Sequence, residues 1–223
     1  MPAAAGWTDL AALGRPVAIR GTRRGRLGGR GGADGTQRAI VTENITLDGV
    51  IDATGGWFDP TDDTGYQSDL IEQTRRHSAT ADALLCGRNT FEAFRSFWPK
   101  QTDDRTGVTD YLNRVRKYVV SGTLGDPEWE PTTVLPADGL EDAVRALKAE
   151  PGRDIVTTGS IMLVHALIGA ELVDEYRLFV YPVVLGRGAR LFPDGTEVPS
   201  LRLAEARPFR SGVVLLRYRP APA

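Results

Sequence analysis

Three short segments of the chain place glycine, hydroxyl or amide residues directly after an apolar run. They are residues 87–90 in "LLCGRNT", residues 121–123 in "VVSGT" and residues 157–161 in "IVTTGSI". Each apolar run is typical of a buried strand. In open α/β sheets, ligands bind beyond the carboxyl ends of the strands, where loops lead into helices. We therefore expect the three segments to lie together and to bind one extended anionic ligand.

The first segment has two interpretations. Asn89 can cap the helix that follows, with Glu92 three residues later completing a capping box. A cap does not explain Arg88, because the start of a helix has a positive dipole end that favours an anion. A phosphate held by Arg88 and by backbone N–H groups would explain both residues. A capped turn and a phosphate site are therefore both open here.

The third segment has the same two interpretations. Gly159 permits close approach of a ligand to the backbone, and Ser160 can cap the next helix, as in an ordinary strand-to-helix turn. Neither segment is a Walker motif, and no G-x-G-x-x-G follows a strand. In "LGRGARLF" (185–192) a strand precedes the glycines but no helix follows them. The convergence of all three segments is thus the feature that favours a nucleotide ligand.

Composition excludes several classes of protein. Of 223 residues, 41% are apolar and 25% charged, as in ordinary globular proteins, and no run is long enough to span a membrane. The single cysteine, Cys86, forms no internal disulfide and is expected to be a buried apolar residue in a cytoplasmic protein. With only His77 and His165 as histidines, we expect no metal site.

The first 38 residues differ from the rest. Residues 1–39 carry seven arginines against two aspartates, whereas the whole chain has a formal net charge of −2, so the remainder is acidic at −7. This favours a folded body that does not bind nucleic acid. The glycine- and arginine-rich composition predicts a disordered extension over residues 1–38. RNA association through this segment remains an alternative, although no aromatic residues alternate with its arginines.

The body of the chain alternates between strand and helix patterns. Strands are predicted near residues 39–47, 82–87, 117–124, 154–160, 175–186 and 212–220, and helices near 66–81, 90–98, 139–150 and 160–173. Strands separated by single helices predict one α/β domain over residues 39–220. Its sheet should be mixed and mainly parallel, with helices on both faces and an antiparallel C-terminal edge.

The order and spacing of these elements resemble the dihydrofolate reductase-like superfamily, and most closely the reductase domain of bacterial riboflavin biosynthesis. The resemblance is carried by "TENITLDGVID", "DALLCGRNTFEAFRSFWP", "KYVVSGTL", "IVTTGSIMLVHALI", "LVDEYRLFVYPVVLGRGARLF" and "SGVVLLRYRP". It implies a sheet of roughly eight strands and NADPH as hydride donor. The implied cofactor-binding residues are Gly87, Arg88, Asn89, Thr90, Ser121, Thr123, Gly159, Ser160 and Ile161. Arg88 would lie near the adenosine 2′-phosphate, and Gly159 to Ile161 would cradle the pyrophosphate.

The substrate side is defined by fewer residues. Asp48, in "LDG", either contacts the substrate or braces a turn, and Trp57 and Phe58 either cover the reacting rings or fasten their loop to the core. Tyr181 is a further candidate for the pocket wall. No proton donor is assigned, although Asp48 and Trp57 are candidates for a catalytic contact. The acid that serves folate reduction should lie within residues 62–72, where four acids are available: Asp62, Asp63, Asp69 and Glu72.

The resemblance implies an NADPH-dependent reductase of a small heterocyclic or carbonyl-type substrate. The alternative is a non-catalytic nucleotide-binding or regulatory protein that retains the cofactor site. The deaminase domain that accompanies the riboflavin-type reductase has no counterpart here, so a stand-alone reductase is expected. Because these relatives are commonly dimers, we expect a homodimer with "LFVYPVVLG" (178–186) at its interface. Superfamily members often carry two adjacent glycines where this chain has Thr158-Gly159.

Overall fold

Eight strands form one mixed sheet in the computed structural model, which describes residues 35–62, 64–198 and 200–221. The strands are β1 Arg38–Thr46, β2 Ala81–Gly87, β3 Arg116–Val120, β4 Thr132–Leu135, β5 Asp154–Thr157, β6 Glu175–Tyr181, β7 Leu201–Pro208 and β8 Val214–Pro220. The helices are α1 Ser68–Thr80, α2 Arg88–Phe97, α3 Val108–Arg114, α4 Leu140–Ala149 and α5 Ile161–Gly169. Among the described helices, none is long and apolar enough to cross a membrane.

The strand order is β4-β3-β2-β5-β1-β6-β8-β7. Strands β1 to β6 run parallel to one another, whereas β8 is antiparallel to both of its neighbours, β6 and β7. The carboxyl ends of β1 to β7 therefore lie at one edge of the sheet, and β8 is the reversed strand, near the C-terminal side. The predicted sheet type is confirmed.

The side chains of successive strand residues show which helices cover each face of the sheet. On β2, Leu84 packs with residues of α2 and α3, whereas its neighbour Leu85 packs with residues of α4 and α5. On β6, Leu178 belongs to the α4 and α5 side, and Phe179 packs near Leu70 of α1 on the opposite side. Because successive strand residues point to opposite faces, α1, α2 and α3 cover one face and α4 and α5 the other.

A gap opens in the sheet between β5 and β1. Their parallel pairing ends at Val41↔Thr157, whereas β1 stays paired with β6 as far as Thr46↔Tyr181. Residues 42–46 of β1 therefore have a strand partner on one side only. The turn after β5 lies on the other side, and this arrangement leaves room at the middle of the carboxyl edge.

The opposite edge of the sheet carries a buried ion network. Arg177 donates to Asp154 at 2.7 Å and to Glu175 at 2.8 Å, and all three side chains are almost fully buried. Arg219 also donates to Glu175, at 2.6 Å. This network fixes the starts of β5 and β6 and is remote from the carboxyl edge.

Three sequence-based expectations need correction. Residues 35–38 belong to the folded domain and not to the extension, because Gln37 is buried and its amide donates to the Leu147 carbonyl at 3.1 Å; residues 1–34 lie outside the described part. The strand expected over 175–186 ends at Tyr181, just before Pro182. Residues 178–181 lie in β6 between β1 and β8, so this segment is not a free interface strand.

Candidate active site

Hydrogen bonds join the three segments at the carboxyl edge. The Gly87 N–H donates to Ser160 Oγ at 3.0 Å, and the Ser160 N–H donates to Thr90 Oγ1 at 2.9 Å. Arg88 Nη1 donates to Thr123 Oγ1 at 3.1 Å. The structure therefore brings the ends of β2, β3 and β5 together.

Two helices begin in this cluster without a side-chain cap. The N-cap residues are Gly87 for α2 and Ser160 for α5, and neither helix start receives a capping bond from a side chain of the described residues. The expected capping box of Asn89 and Glu92 is wrong, because α2 already begins at Arg88, directly after β2. Asn89 is the second residue of the helix and is exposed. Uncapped N–H groups at both helix starts make this a favourable place for an anion.

The turn between β5 and α5 has a left-handed backbone at two successive residues. Gly159 has φ +60° and Ser160 has φ +49°. A Cβ added to Gly159 would lie 3.3 Å from Thr90 Cγ2 and 3.4 Å from Thr90 Oγ1. Glycine is therefore required both by the backbone conformation and by the close approach of α2. Ile161 is the first residue of α5 and packs partly against the core.

Arg88 and Thr123 lie at the outer end of the cluster, where both are exposed. Ser121 has a local role, since its Oγ accepts the N–H groups of Thr123 at 3.1 Å and Leu124 at 2.9 Å. Arg88 takes part in none of the ion pairs found among the described residues, and one of its five N–H donors is used by Thr123. Its other donors have no hydrogen-bond partner within the described part of the chain, and Arg88 is exposed at the start of α2.

An open aromatic pocket of about 320 Å³ lies at the end of β6. Trp57 and Phe58 contact each other edge-to-face at 4.7 Å between ring centroids, and both rings lie within 6 Å of Tyr181, at 5.3 and 5.9 Å. The Trp57 Nε1–H donates to the Asp52 carbonyl at 2.8 Å, which fixes the indole. The three predicted substrate-side aromatics are therefore brought together.

Of the four acids considered for the substrate side, Asp62 lines this pocket, together with the amide side chain of Gln67. A hydrogen bond from the Thr64 backbone N–H, at 3.0 Å, holds the pKa of Asp62 below its usual range. Burial, with a further effect of the Asp62 charge, raises the pKa of Tyr181 to about 12. Asp62 is therefore a carboxylate, and Tyr181 a neutral phenol, at neutral pH.

The other acids have different surroundings. Asp69 accepts the Arg210 backbone N–H at 3.1 Å, and Glu72 pairs with Arg76 on the surface of α1. Asp63 lies outside the described residues. Gln67 and the wall formed by residues 211 and 213 could not be predicted from the sequence, because they come from distant segments that share no motif.

Asp48 braces a turn. Its carboxylate accepts hydrogen bonds from Thr46 Oγ1 at 2.6 Å and from the backbone N–H groups of Leu185 at 3.2 Å and Gly186 at 2.7 Å. The hydrogen bond from Thr46, aided by that from Gly186, lowers the pKa of Asp48 to about 2. These contacts fasten the end of β1 to the 183–186 segment. In this arrangement Asp48 carries no proton to donate at neutral pH.

Among the described residues, no cluster of three His, Cys, Asp or Glu side chains is arranged to hold a metal ion. Burial raises the pKa of the Cys86 thiol to about 12, so this residue is neither a thiolate nucleophile nor a ready metal ligand.

Comparison with known proteins identifies the family. Residues 38–215 match the family model described as the RibD C-terminal domain, a range that includes β1 to β7 and the start of β8. The chain belongs to the RibD C-terminal domain family.

The relatives of this RibD C-terminal domain agree with that assignment. The chain is 33% identical over 187 residues to the protein YyaP of Bacillus subtilis (strain 168), covering 82% of this chain and 94% of YyaP. It is similar to the Thermotoga maritima diaminohydroxyphosphoribosylaminopyrimidine deaminase/5-amino-6-(5-phosphoribosylamino)uracil reductase, with a TM-score of 0.58 and 14% identity, covering 83% of this chain and 57% of that one.

A second solved structure extends the likeness. Dihydrofolate reductase from Enterococcus faecalis, complexed with NADP(H), gives a TM-score of 0.52 at 16% identity, covering 82% of this RibD C-terminal domain and 95% of the reductase. At these identities the two solved structures establish a shared fold. The expected dihydrofolate reductase-like fold is confirmed.

Proposed function

We propose that this protein is an NADPH-dependent reductase of a small, planar heterocyclic or carbonyl-type substrate. The observation that carries the proposal is the hydrogen-bonded cluster of three strand ends, in which two uncapped helix starts lie beside an arginine that has no acidic partner among the described residues. The family and its reductase-like structural relatives support the same conclusion.

The residues of the cluster fit a dinucleotide phosphate. Gly159 lets the turn before α5 pack closely against Thr90, and α5 begins at Ile161 without a side-chain cap. The backbone N–H groups at the starts of α5 and α2 would bind the pyrophosphate. Arg88 would bind the 2′-phosphate, because its fork of donors matches phosphate geometry and remains largely free. When bound, NADPH would supply a hydride.

The aromatic pocket is the proposed substrate site. Strands β5, β1 and β6 are consecutive neighbours, and β6 runs on to a position opposite Thr46 whereas β5 ends opposite Val41. The ends of β5 and β6 are therefore about 20 Å apart, a distance that one extended dinucleotide and its substrate can span. Trp57, Phe58 and Tyr181 would hold a planar ring, and Asp62 would accept hydrogen bonds from ring N–H groups. Positioning of the ring is the main contribution that hydride transfer needs from these side chains.

The acidic lining of the pocket favours a substrate without a phosphate group. None of the described residues that line it is lysine or arginine, whereas Asp59 and Asp62 contribute two carboxylates. A phosphorylated substrate would be repelled, so the proposed substrate is a neutral or cationic ring compound. Assays with matched phosphorylated and unphosphorylated pyrimidines and pterins test this point; faster turnover of the phosphorylated member would contradict it.

The direct test of the cofactor is a fluorescence titration with NADPH and NADH. We expect saturable binding of NADPH below millimolar concentration, and Arg88→Ala should weaken NADPH binding at least tenfold while leaving NADH binding nearly unchanged. Arg114→Ala, at an exposed arginine of α3, is the matched control. Equal losses for both cofactors would show that Arg88 does not bind the 2′-phosphate, and absence of NADPH binding would refute the proposal.

A second candidate function is non-catalytic nucleotide binding. It is favoured by the ionisation of both Asp48 and Asp62, since neither offers a proton to a substrate at neutral pH. Both functions need the cofactor site, so binding alone does not separate them. NADPH oxidation with any of a panel of pterins, flavin precursors and quinones would exclude the non-catalytic function.

The proposal extends to a homodimer in the cytoplasm. Val214 and Leu216 on β8 lie on the same face as Leu203 and Ala206 on β7, and Leu203 is 52% exposed. This apolar strip is the proposed contact between two copies. Light scattering should give twice the mass of one chain, and Leu203→Lys should give monomers; an unchanged mass for the variant would exclude this face.

A further inference from the structure

A buried acid lies directly beside the proposed cofactor turn. Glu43, on β1, is 3% exposed, and its Oε1 has no hydrogen-bond partner within the described part of the chain. It lies two residues beyond the last β1–β5 pair, so the position opposite it belongs to Gly159 and not to a paired strand. The backbone N–H of Gly159 interacts with the carboxyl group.

Among the described residues around this acid, no cation is placed to stabilise a carboxylate. Across β1–β6 its partner is Leu178, and the turn over residues 158–160 carries no titratable group. On α5 the one titratable side chain is His165, whose Nε2 contacts the Arg190 carbonyl at 2.8 Å. Arg190 itself is exposed. Burial therefore raises the pKa of Glu43 well above its ordinary value, and the Gly159 N–H offsets only part of this effect.

We propose that Glu43 is a positioning residue that supports the Gly159 turn as a neutral carboxylic acid, and that loss of its proton weakens cofactor binding. This inference rests on the proposed function. A neutral carboxyl can accept the Gly159 N–H through its carbonyl oxygen without placing a negative charge beside the phosphate site. A carboxylate at the same place would attract the positive start of α5 itself and would repel the phosphates of the cofactor.

The first test uses the protein without cofactor. The unfolded chain loses the Glu43 proton near the ordinary pKa of about 4.3, whereas the folded protein retains it, so the stability of the native protein falls as pH rises above that value. Glu43→Gln lacks this titration. The Tm of Glu43→Gln minus the Tm of the native protein should therefore rise by at least about 3 °C between about pH 5 and about pH 8. A constant Tm difference would overturn the inference.

The second test measures NADPH affinity from about pH 6 to about pH 9. Over this range the NADPH affinity of the native protein should fall at least tenfold more than the affinity of Glu43→Gln. The control is Glu141→Gln, at an exposed acid of α4, whose affinity should fall as much as that of the native protein. Parallel profiles for the native protein and Glu43→Gln would overturn the coupling to cofactor. If no variant binds NADPH at any pH, the proposed function fails and the coupling with it, while the Tm shift still reports the buried proton.

Discussion

The substitution Gly159→Ala tests the geometry of the cofactor turn. Two costs are expected. A left-handed conformation costs an L-residue about 1–2 kcal/mol relative to glycine, and Gly159 has φ +60°. The new methyl group would also lie 3.3 Å from Thr90 Cγ2. Together these predict a loss of about 2 kcal/mol in the free energy of unfolding, equivalent to a fall in Tm of about 4–8 °C for a domain of this size.

The same substitution should affect binding more than its stability cost alone explains. Thr90 Oγ1, which would lie 3.4 Å from the new methyl group, accepts the Ser160 N–H at the start of α5. Displacing Thr90 would move both helix starts that form the proposed phosphate site. We expect NADPH affinity to fall at least tenfold, measured by fluorescence titration at a temperature where the variant remains folded.

A matched glycine separates the two costs. Gly139 also has a left-handed backbone, φ +81°, but no atom lies within 4 Å of the position of its Cβ. Gly139→Ala should therefore lose about 1 kcal/mol and no NADPH affinity. Thr90→Ser, which removes the methyl group contacted at Gly159, should restore part of the stability of Gly159→Ala. Equal stability and equal affinity for the two glycine variants would refute the reasoning.

Three further perturbations probe the cofactor turn and two buried polar groups elsewhere in the fold. Ser160→Ala removes the acceptor of the Gly87 N–H and should cost about 1–2 kcal/mol in urea unfolding; native-like stability would show that this bond does not hold the turns together. Burial lowers the pKa of His77 to about 4, so the native protein should lose stability as pH falls from about 6.5 to about 4, and His77→Gln should lose less; identical pH profiles would contradict this. Arg177→Met leaves the buried Asp154 short of a partner and should cost about 3 kcal/mol, and a loss below about 1 kcal/mol in the same assay would show that the remaining arginines suffice.

The strands of the carboxyl edge could be predicted because their apolar runs are unambiguous. In β2 and β5 the pattern also gave the position of the turns, since glycine and hydroxyl residues follow at once. By contrast, β4 has four residues, and β7 mixes three charged residues with leucine and alanine and has no buried position, so neither resembles a buried strand. The helix α3 was not predicted because it has only 7 residues.

Capping was mispredicted because the deciding contact is not local. Asn89 and Glu92 have the spacing of a capping box, but α2 starts one residue after β2 ends. The backbone N–H of Gly87 instead bonds Ser160, 73 residues away in sequence. A local sequence pattern cannot reveal that the hydroxyl of Ser160, from another strand end, will accept the Gly87 N–H. The aromatic pocket could not be predicted for the same reason, because its walls come from four separate segments.

The use of these hydroxyl groups links stability to function. Thr90 and Ser160 are residues that could have capped or shielded a helix start, yet each accepts a backbone N–H from the opposite turn. The two turns are thereby held together, and the first N–H groups of α2 and α5 are left to water or to a ligand. An anion that binds there supplies the partners that the side chains do not, so its binding energy adds directly to the stability of the folded state. Because α4 likewise begins without a side-chain cap, it is the meeting of two such helix starts beside Arg88 that favours a binding role for this edge of the sheet.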